Sequence, residues 1–442
     1  MPITQRRRLI FRSAAVCVSV ALGATALTAC GSEDDSEAES GPVSLTYWTW
    51  TPGMDKVVDL WNKGPGKQDQ ITVTVKKQAS GDTLVTKILT AHKAGKAPDL
   101  VQAEYQALPT LVSNDAVADI AGEVGDAKGK FADGVWQQTT LGTDAVYAVP
   151  QDIGPMMFYY REDLFKKYGL KVPATWDEFA ETARALKKKA PDTDLTTFSA
   201  NDSGLFAGLA QQAGAKWWTT SGEKWQVGID DAASEKVAKF WGGLVKEGAI
   251  DNQPMYTPAW NKALNTGKQI AWVSAVWAPG TLTTAAPDTK GKWAMAPLPQ
   301  WSDSDDVTGS WGGSSTAVTT DSTHKAAAAK FAAWLNTDGD ALNALAKEGG
   351  IYPASTSAQL SGAFTTPPDY FSNQPDFYKQ AAEIAETTAP SAWGPNVNVA
   401  YTTFKDAFGK AAKDKSDFAA ALKSMQDDTV ADLKKQGFEV AE

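Results

Sequence analysis

Seventeen tryptophans are the most unusual chemical resource of this 442-residue chain. An indole face is flat, apolar and electron-rich, so it suits the C–H face of a pyranose, while the hydroxyls of the sugar need amides and carboxylates at the ring edge. Trp61, Trp176, Trp241 and Trp334 fall at apolar positions of expected helices and read as core. Trp48, Trp50, Trp217, Trp218, Trp260, Trp277, Trp311 and Trp393 fall at strand ends or in loops, where the ligand sites of α/β folds concentrate. Each of these eight reads about evenly as site or as packing. Signatures of covalent and metal chemistry are mostly missing. The two histidines, His92 and His324, belong to no H-E-x-x-H, and there is no G-x-S-x-G and no G-K-[ST]. Asp303, Asp305 and Asp306 before Gly309 hint at a calcium loop. The bidentate Glu of an EF-hand is missing, so a surface loop is expected and no metal. No cofactor is implied. A carboxylate pair for glycoside hydrolysis stays open, because acids are plentiful and their separation in space is not readable here.

The elements that must position these side chains follow from periodicity. The run 43–50 (VSLTYWTW) is β-type, 70–77 (QITVTVKK) alternates, and 99–103 follows Pro98 as a third short strand. Helices are expected over 55–62 and 83–94 between them. Strand, helix, strand, helix, strand at this spacing predicts a parallel sheet with helices on its faces. Further strands are expected at 147–150 and 156–160, then a helix over 161–168 with Gly169 as its left-handed C-cap. Thr175-Trp176-Asp177-Glu178 is a capping box opening a helix to Lys189. The second half is richer in helix, at 232–247, 323–335 and 417–436. No internal repeat is present.

The N-terminus says where the protein works. Arg6, Arg7, Arg8 and Arg12 form a basic region, followed over 13–29 by a short apolar stretch broken by Ser13, Ser19, Gly23 and Thr25. That pattern is a secretory signal, too short and interrupted for a membrane span. Its ending, Leu27-Thr28-Ala29-Cys30-Gly31, resembles the bacterial lipobox, in which the Cys sulfur receives a diacylglyceryl group and the chain is cut just before it. Arg6-Arg7-Arg8-Leu9-Ile10 also loosely resembles a twin-arginine export signal. Cleavage before Cys30 removes four of 42 basic residues, leaving 38 against 52 acids, so the net charge moves from −10 to −14. It also removes Cys17 and leaves Cys30 alone, so no disulfide can form. Stability must then come from a packed core, which roughly 400 residues can build as two domains. The acid-rich stretch 31–42 has no large apolar side chain and reads as a self-repelling tether. Strong acidity argues against nucleic acid as a partner.

From 147 to 179 the chain reads YAVPQDIGPMMFYYREDLFKKYGLKVPATWDEF. This stretch resembles the extracellular solute-binding proteins of carbohydrate ABC transporters. There a strand ending in Pro is followed by a strand leading into a Tyr-x-(Lys/Arg/Glu)-Asp-Leu-Phe helix, then Gly-Leu, a Pro, and Thr-Trp-Asp-Glu-Phe. Ala97-Pro98-Asp99-Leu100-Val101 is similar to that family's Pro-Asp-(Val/Ile) strand, and Trp311-Gly312-Gly313-Ser314 is similar to its second crossover. The resemblance implies an α/β, two-lobed periplasmic-binding-protein-like fold of type II with crossover hinge segments. Its first lobe would be 43–150 plus 314–350, and its second 151–313 plus 351–442, closing by hinge bending on a ligand. It also implies cleft positions. Trp48 and Trp50 end the first strand, and Glu104 and Tyr105 follow the third. Gln151 and Asp152 lie at the first crossover, where Asp152 can accept two sugar hydroxyls. Trp277 follows a strand as a stacking Trp. Trp311, Gly312 and Gly313 lie at the second crossover, where glycine lets backbone amides approach a ligand. Trp393 is a late aromatic of the second lobe. Trp217, Trp218 and Trp260 fall where the family varies most.

The expected activity is capture without catalysis. A substrate-binding lipoprotein, anchored through Cys30 on the outer face of the cytoplasmic membrane of a Gram-positive cell, would hold a di- or trisaccharide between its lobes. It would act as a monomer and deliver the sugar to ABC permease subunits. The rivals are a surface-anchored glycoside hydrolase or lyase, and a binding protein for a non-sugar solute such as a polyol phosphate. A phosphate would want Arg or Lys near the crossovers, and none is adjacent in sequence.

Overall fold

The structure, a computed structural model, describes residues 41–441 except Ser80 and Glu223. The leader, Cys30 and nearly all of the acid-rich stretch therefore lie outside the described residues. In chain order the strands are β1 (Val43–Thr49), β2 (Ile71–Lys77), β3 (Leu100–Glu104), β4 (Val149–Asp152), β5 (Met156–Arg161), β6 (Trp218–Ser221), β7 (Lys224–Val227), β8 (Ala271–Ala275), β9 (Trp293–Pro297) and β10 (Ser314–Val318).

Two lobes follow from how these strands pair. The first sheet has the order β2-β1-β3-β10-β4. Its β1 runs parallel to β2 and β3, as the strand–helix–strand spacing predicts, because each link passes through a helix, Met54–Lys63 or Asp82–Lys93. The sheet is not parallel throughout. β10 returns from far along the sequence and is antiparallel to both β3 and β4. Strand alternation sends Leu100, Val149 and Val318 to one face, against Trp61 and Phe331. Val101, Ala148 and Ala317 go to the other, against Leu84 and Leu108. The second sheet is antiparallel, in the order β8-β5-β9, with β6 and β7 as a separate hairpin. Around it lies an aromatic interior that includes Phe158, Trp176, Phe179, Phe198 and Trp241, all buried.

Local chemistry explains the helix ends in the second lobe. Thr175 accepts from the Glu178 N–H at 3.2 Å, while the Glu178 carboxylate accepts from the Ala174 N–H at 2.7 Å. The capping box thus reaches one residue further back than the simplest form of that motif. Gly169 takes φ 57°, and Leu170 donates back to the Phe165 carbonyl at 2.9 Å, which closes the helix Glu162–Tyr168.

Candidate functional site

Three segments cross between the lobes, at residues 151–156, 309–314 and 351–354, and they are stitched together. The Trp311 N–H donates to the Gly154 carbonyl at 2.8 Å, and the Met156 N–H to Gly309 at 2.9 Å. The Ile153 N–H donates to Tyr352 at 3.2 Å, and the Ala354 N–H to Gln151 at 3.1 Å. Gly154 is required here, since a Cβ would collide with the Trp311 carbonyl. Gly312 and Gly313 take φ 81° and 92°, a turn other residues rarely make.

On the first-lobe side the strand ends carry a buried polar chain. Gln102 Oε1 accepts from the Thr49 hydroxyl at 2.5 Å, the Thr51 hydroxyl at 3.0 Å and the Trp50 N–H at 3.2 Å. Its Nε2 donates to the Ser314 hydroxyl at 2.9 Å, and Ser314 in turn donates to the Asp152 carboxylate. Burial pushes Asp152 up to about 6, against the opposing pull of the Ser314 hydrogen bond.

Between the lobes lies a cavity of about 320 Å³, near the lower end of the range typical for small-molecule sites. The first lobe supplies Glu104 and Gln106, and the second supplies Asp202, Trp393, Tyr401 and Lys405. The crossover supplies Trp311 and Gly312. Asp202 caps the helix Ser203–Gln212 by accepting from the Leu205 N–H at 3.2 Å. Burial raises its carboxyl to about 6. Backbone N–H groups, the charge of Lys405 and the Trp311 indole oppose that shift. The Trp311 ring lies over Gly204, where a Cβ would come within 2.8 Å of the indole.

Behind Trp311 runs a file of rings. Trp277 lies 4.9 Å from Trp311 at 77° and donates its indole N–H to the Trp311 carbonyl at 2.8 Å. Trp272 follows at 5.7 Å from Trp277, Trp260 at 5.1 Å from Trp272, and Tyr256 at 5.4 Å from Trp260. These edge-to-face pairs fix Trp311 as a rigid wall. At the far end Tyr256 has φ 62° and is 46% exposed as a residue, while its hydroxyl end is buried beside Asp202; burial first, and then the Asp202 charge, push it well above the ordinary phenol value. A bulky residue held at positive φ, with its ring packed on Trp260 and Trp272, is a strained arrangement maintained by its surroundings.

Of the residues read from sequence, Glu104, Trp311, Gly312 and Trp393 meet in this one cavity. Gly313 and Asp152 belong to the crossover beside it, and Trp277 packs behind Trp311. Gln151 is wholly buried, its Oε1 taken by the Tyr47 hydroxyl at 3.2 Å and the Thr316 hydroxyl at 3.0 Å. Tyr105 is buried beneath Gly313. Trp48 and Trp50 pack against the first-lobe core, with the Lys87 ammonium 4.8 Å from the Trp48 ring centroid. Trp260 is buried within the file of rings. Trp217 and Trp218 are buried on the hairpin side of the second lobe, where Trp217 donates to the Ser234 hydroxyl at 3.0 Å. Asp202, Tyr256, Tyr401 and Lys405 had no signal in the sequence beyond the capping position of Asp202. The Asp303–Asp306 loop is exposed.

A family model described as bacterial extracellular solute-binding protein matches residues 47–342. An arabinooligosaccharide-binding protein of Bacillus subtilis is 23% identical over 335 residues, covering 72% of this chain and 75% of that one. Among solved structures, the galacto-N-biose/lacto-N-biose I-binding protein of an ABC transporter from Bifidobacterium longum, in complex with lacto-N-biose, superposes with a TM-score of 0.83. It is 26% identical, and the match covers 91% of this chain and 100% of that one. An ABC-transporter-associated binding protein of B. animalis subsp. lactis, in complex with β-1,6-galactobiose, gives a TM-score of 0.80 at 25% identity, covering 91% of this chain and 100% of that one.

Proposed function

Because the chain belongs to the bacterial extracellular solute-binding proteins, we propose that its inter-lobe cavity captures an oligosaccharide, a di- or trisaccharide, for delivery to the permease of an ABC importer. The observation that carries this reading is a cavity walled by both lobes, with an indole wall (Trp311, Trp393) beside carboxylates and an amide (Glu104, Asp202, Gln106). Indole faces take the apolar side of a sugar ring, and the carboxylates and amide accept or donate to its hydroxyls. Lobe closure removes water from these polar contacts. A misplaced hydroxyl then leaves a buried group unpaired, at about 1–3 kcal/mol. The relatives named above are binding proteins, so turnover is not part of the reading.

The proposal includes a site comprising Glu104, Asp152, Trp277, Trp311, Gly312, Gly313 and Trp393. Lobe bounds at 43–150 plus 314–350 and at 151–313 plus 351–442 belong to it as well. So does a monomer anchored by a lipid at Cys30 on the outer face of a Gram-positive cell's membrane. Tethering raises the local concentration of the loaded protein beside its permease. The test is calorimetric titration of the purified protein against arabino-, β-1,6-galacto- and malto-oligosaccharides, with chromatography of each sugar after long incubation. Saturable binding with unchanged sugar is expected. Hydrolysis products, or binding only of phosphate esters, would overturn the reading.

A further inference from the structure

Trp393 has two sides. Its ring lies 6.3 Å from Tyr401, on the side of the cavity that holds Asp202 and Trp311. It also lies 6.3 Å from Trp218, facing a second inter-lobe groove, where Trp217 and Trp218 of the expected site lie apart from the inner cavity. Two overlapping hollows of about 280 and 340 Å³ make up that groove. Its second-lobe wall is Trp217, Trp218 and Trp225, and its first-lobe wall carries Gln137, Gln138 and Leu141. The loop 390–395 separates groove from cavity and reaches the first lobe at two points. The Thr110 hydroxyl donates to the Pro395 carbonyl at 2.9 Å, and the Ser391 hydroxyl to the Gln138 side chain at 3.3 Å. Gly394 lets this loop lie on Trp218, because a Cβ there would strike the indole.

We infer that this outer groove is an extension subsite, which takes a further sugar ring of the same oligosaccharide on the far side of Trp393. The inference rests on the oligosaccharide reading of the inner cavity. Its chemistry resembles that of the inner cavity with different groups: the small exposed parts of Trp217, Trp218 and Trp225 beside the Trp393 ring, and amides in place of carboxylates. Among the described residues the Trp225 indole N–H is buried without a hydrogen-bond partner, as is that of Trp218. The Trp225 N–H has no exposed surface as the wall stands, so a ligand acceptor satisfies it only where the indole shifts toward the groove. Gln137 is exposed on the helix Asp133–Thr140, and no hydrogen bond within the described residues uses its amide. Both walls come from different lobes, so the groove is complete only when the lobes face each other, as the inner cavity is. Together the two compartments roughly double the room available to a ligand.

The experiment is calorimetric titration with di-, tri- and tetrasaccharides of the arabino-, β-1,6-galacto- and malto- series, on wild type, Gln137→Ala and Trp225→Phe. In whichever series binds, affinity is expected to rise at least fivefold beyond the disaccharide. Each variant should lose about fivefold for the longer ligands, the worth of one hydrogen bond. Each should leave the disaccharide within twofold of wild type. Equal affinity for all lengths, or equal weakening of disaccharide and longer sugars, would overturn the extension subsite and leave the inner cavity standing. Binding of no sugar in any series would overturn both.

Discussion

Replacing Asp202 by Asn should remove a pH dependence that the wild-type protein carries. In the folded chain this carboxyl sits under the Trp311 indole, against the Tyr256 hydroxyl, at the N-terminus of the helix Ser203–Gln212. Burial raises it from 3.8 to about 6. In the unfolded chain it titrates at the ordinary value. Below the unfolded value both states are protonated, and Asp202 adds no pH dependence. As pH rises from about 4 through about 6, the unfolded state loses its proton first, and the folded state is disfavoured relative to it. The displacement of about 2 units corresponds to about 3 kcal/mol as an upper bound, at 1.36 kcal/mol per unit. Asn keeps the capping oxygen and is an equally good N-cap, so the helix should hold. Urea denaturation of both proteins at half-unit steps from pH 4.5 to 7.5 gives a difference curve in which Asp152 and the surface acids cancel. Wild type should lose stability relative to Asp202→Asn as pH rises, with most of the change between pH 4.5 and 6.5. A difference curve flat to within about 0.5 kcal/mol would refute the reasoning, because Asp202 would then ionise as freely in the folded state as in the unfolded one.

Three further outcomes are expected. Gly204→Ala places a methyl within 2.8 Å of the Trp311 indole; it should cost about 1–3 kcal/mol in denaturation and weaken sugar binding at least tenfold in calorimetry. Thr110→Val removes the hydroxyl that holds the Pro395 carbonyl across the lobes. Ligand dissociation measured by stopped-flow tryptophan fluorescence should quicken about fivefold, with thermal stability nearly unchanged. Cys30→Ser should shift the protein from the membrane fraction to the medium in a cell fractionation, without altering sugar affinity in solution.

Much of the fold was legible because its signals are local. The alternation of Ile71 to Val75, the Thr175–Glu178 box and the glycine at 169 each act over a few residues, and each sits where the local pattern puts it. The antiparallel insertion of β10 was not legible, since it pairs Ser314 with Glu104 across more than two hundred residues. The site shows the same division. The family resemblance marks Glu104, Trp311 and Gly312 as strand-end or crossover residues and Trp393 as a late aromatic of the second lobe, and they line one cavity. Asp202 carries no mark of a site in the sequence; in the structure it caps the helix Ser203–Gln212, and the return of Trp311 over Gly204 makes it a cavity wall. Gln151 and Asp152 are neighbours on one strand, so their side chains point to opposite faces. Gln151 turns inward to Tyr47, and Asp152 meets Ser314. Trp260 and Trp218 follow the apolar logic of their surroundings, where a large ring gains more from packing than from exposure.

The stitched crossing has a mechanical consequence. Three ribbons bound side by side, at Gly154–Trp311, Gly309–Met156, Ile153–Tyr352 and Gln151–Ala354, behave as a leaf spring rather than as a ball joint. Such a spring bends about one axis and resists torsion, since shearing one leaf past another would break backbone hydrogen bonds. Bending of the crossing is thereby favoured over twist, because bending leaves these bonds intact. A transporter that senses the protein's state then has the opening angle as the main coordinate to read.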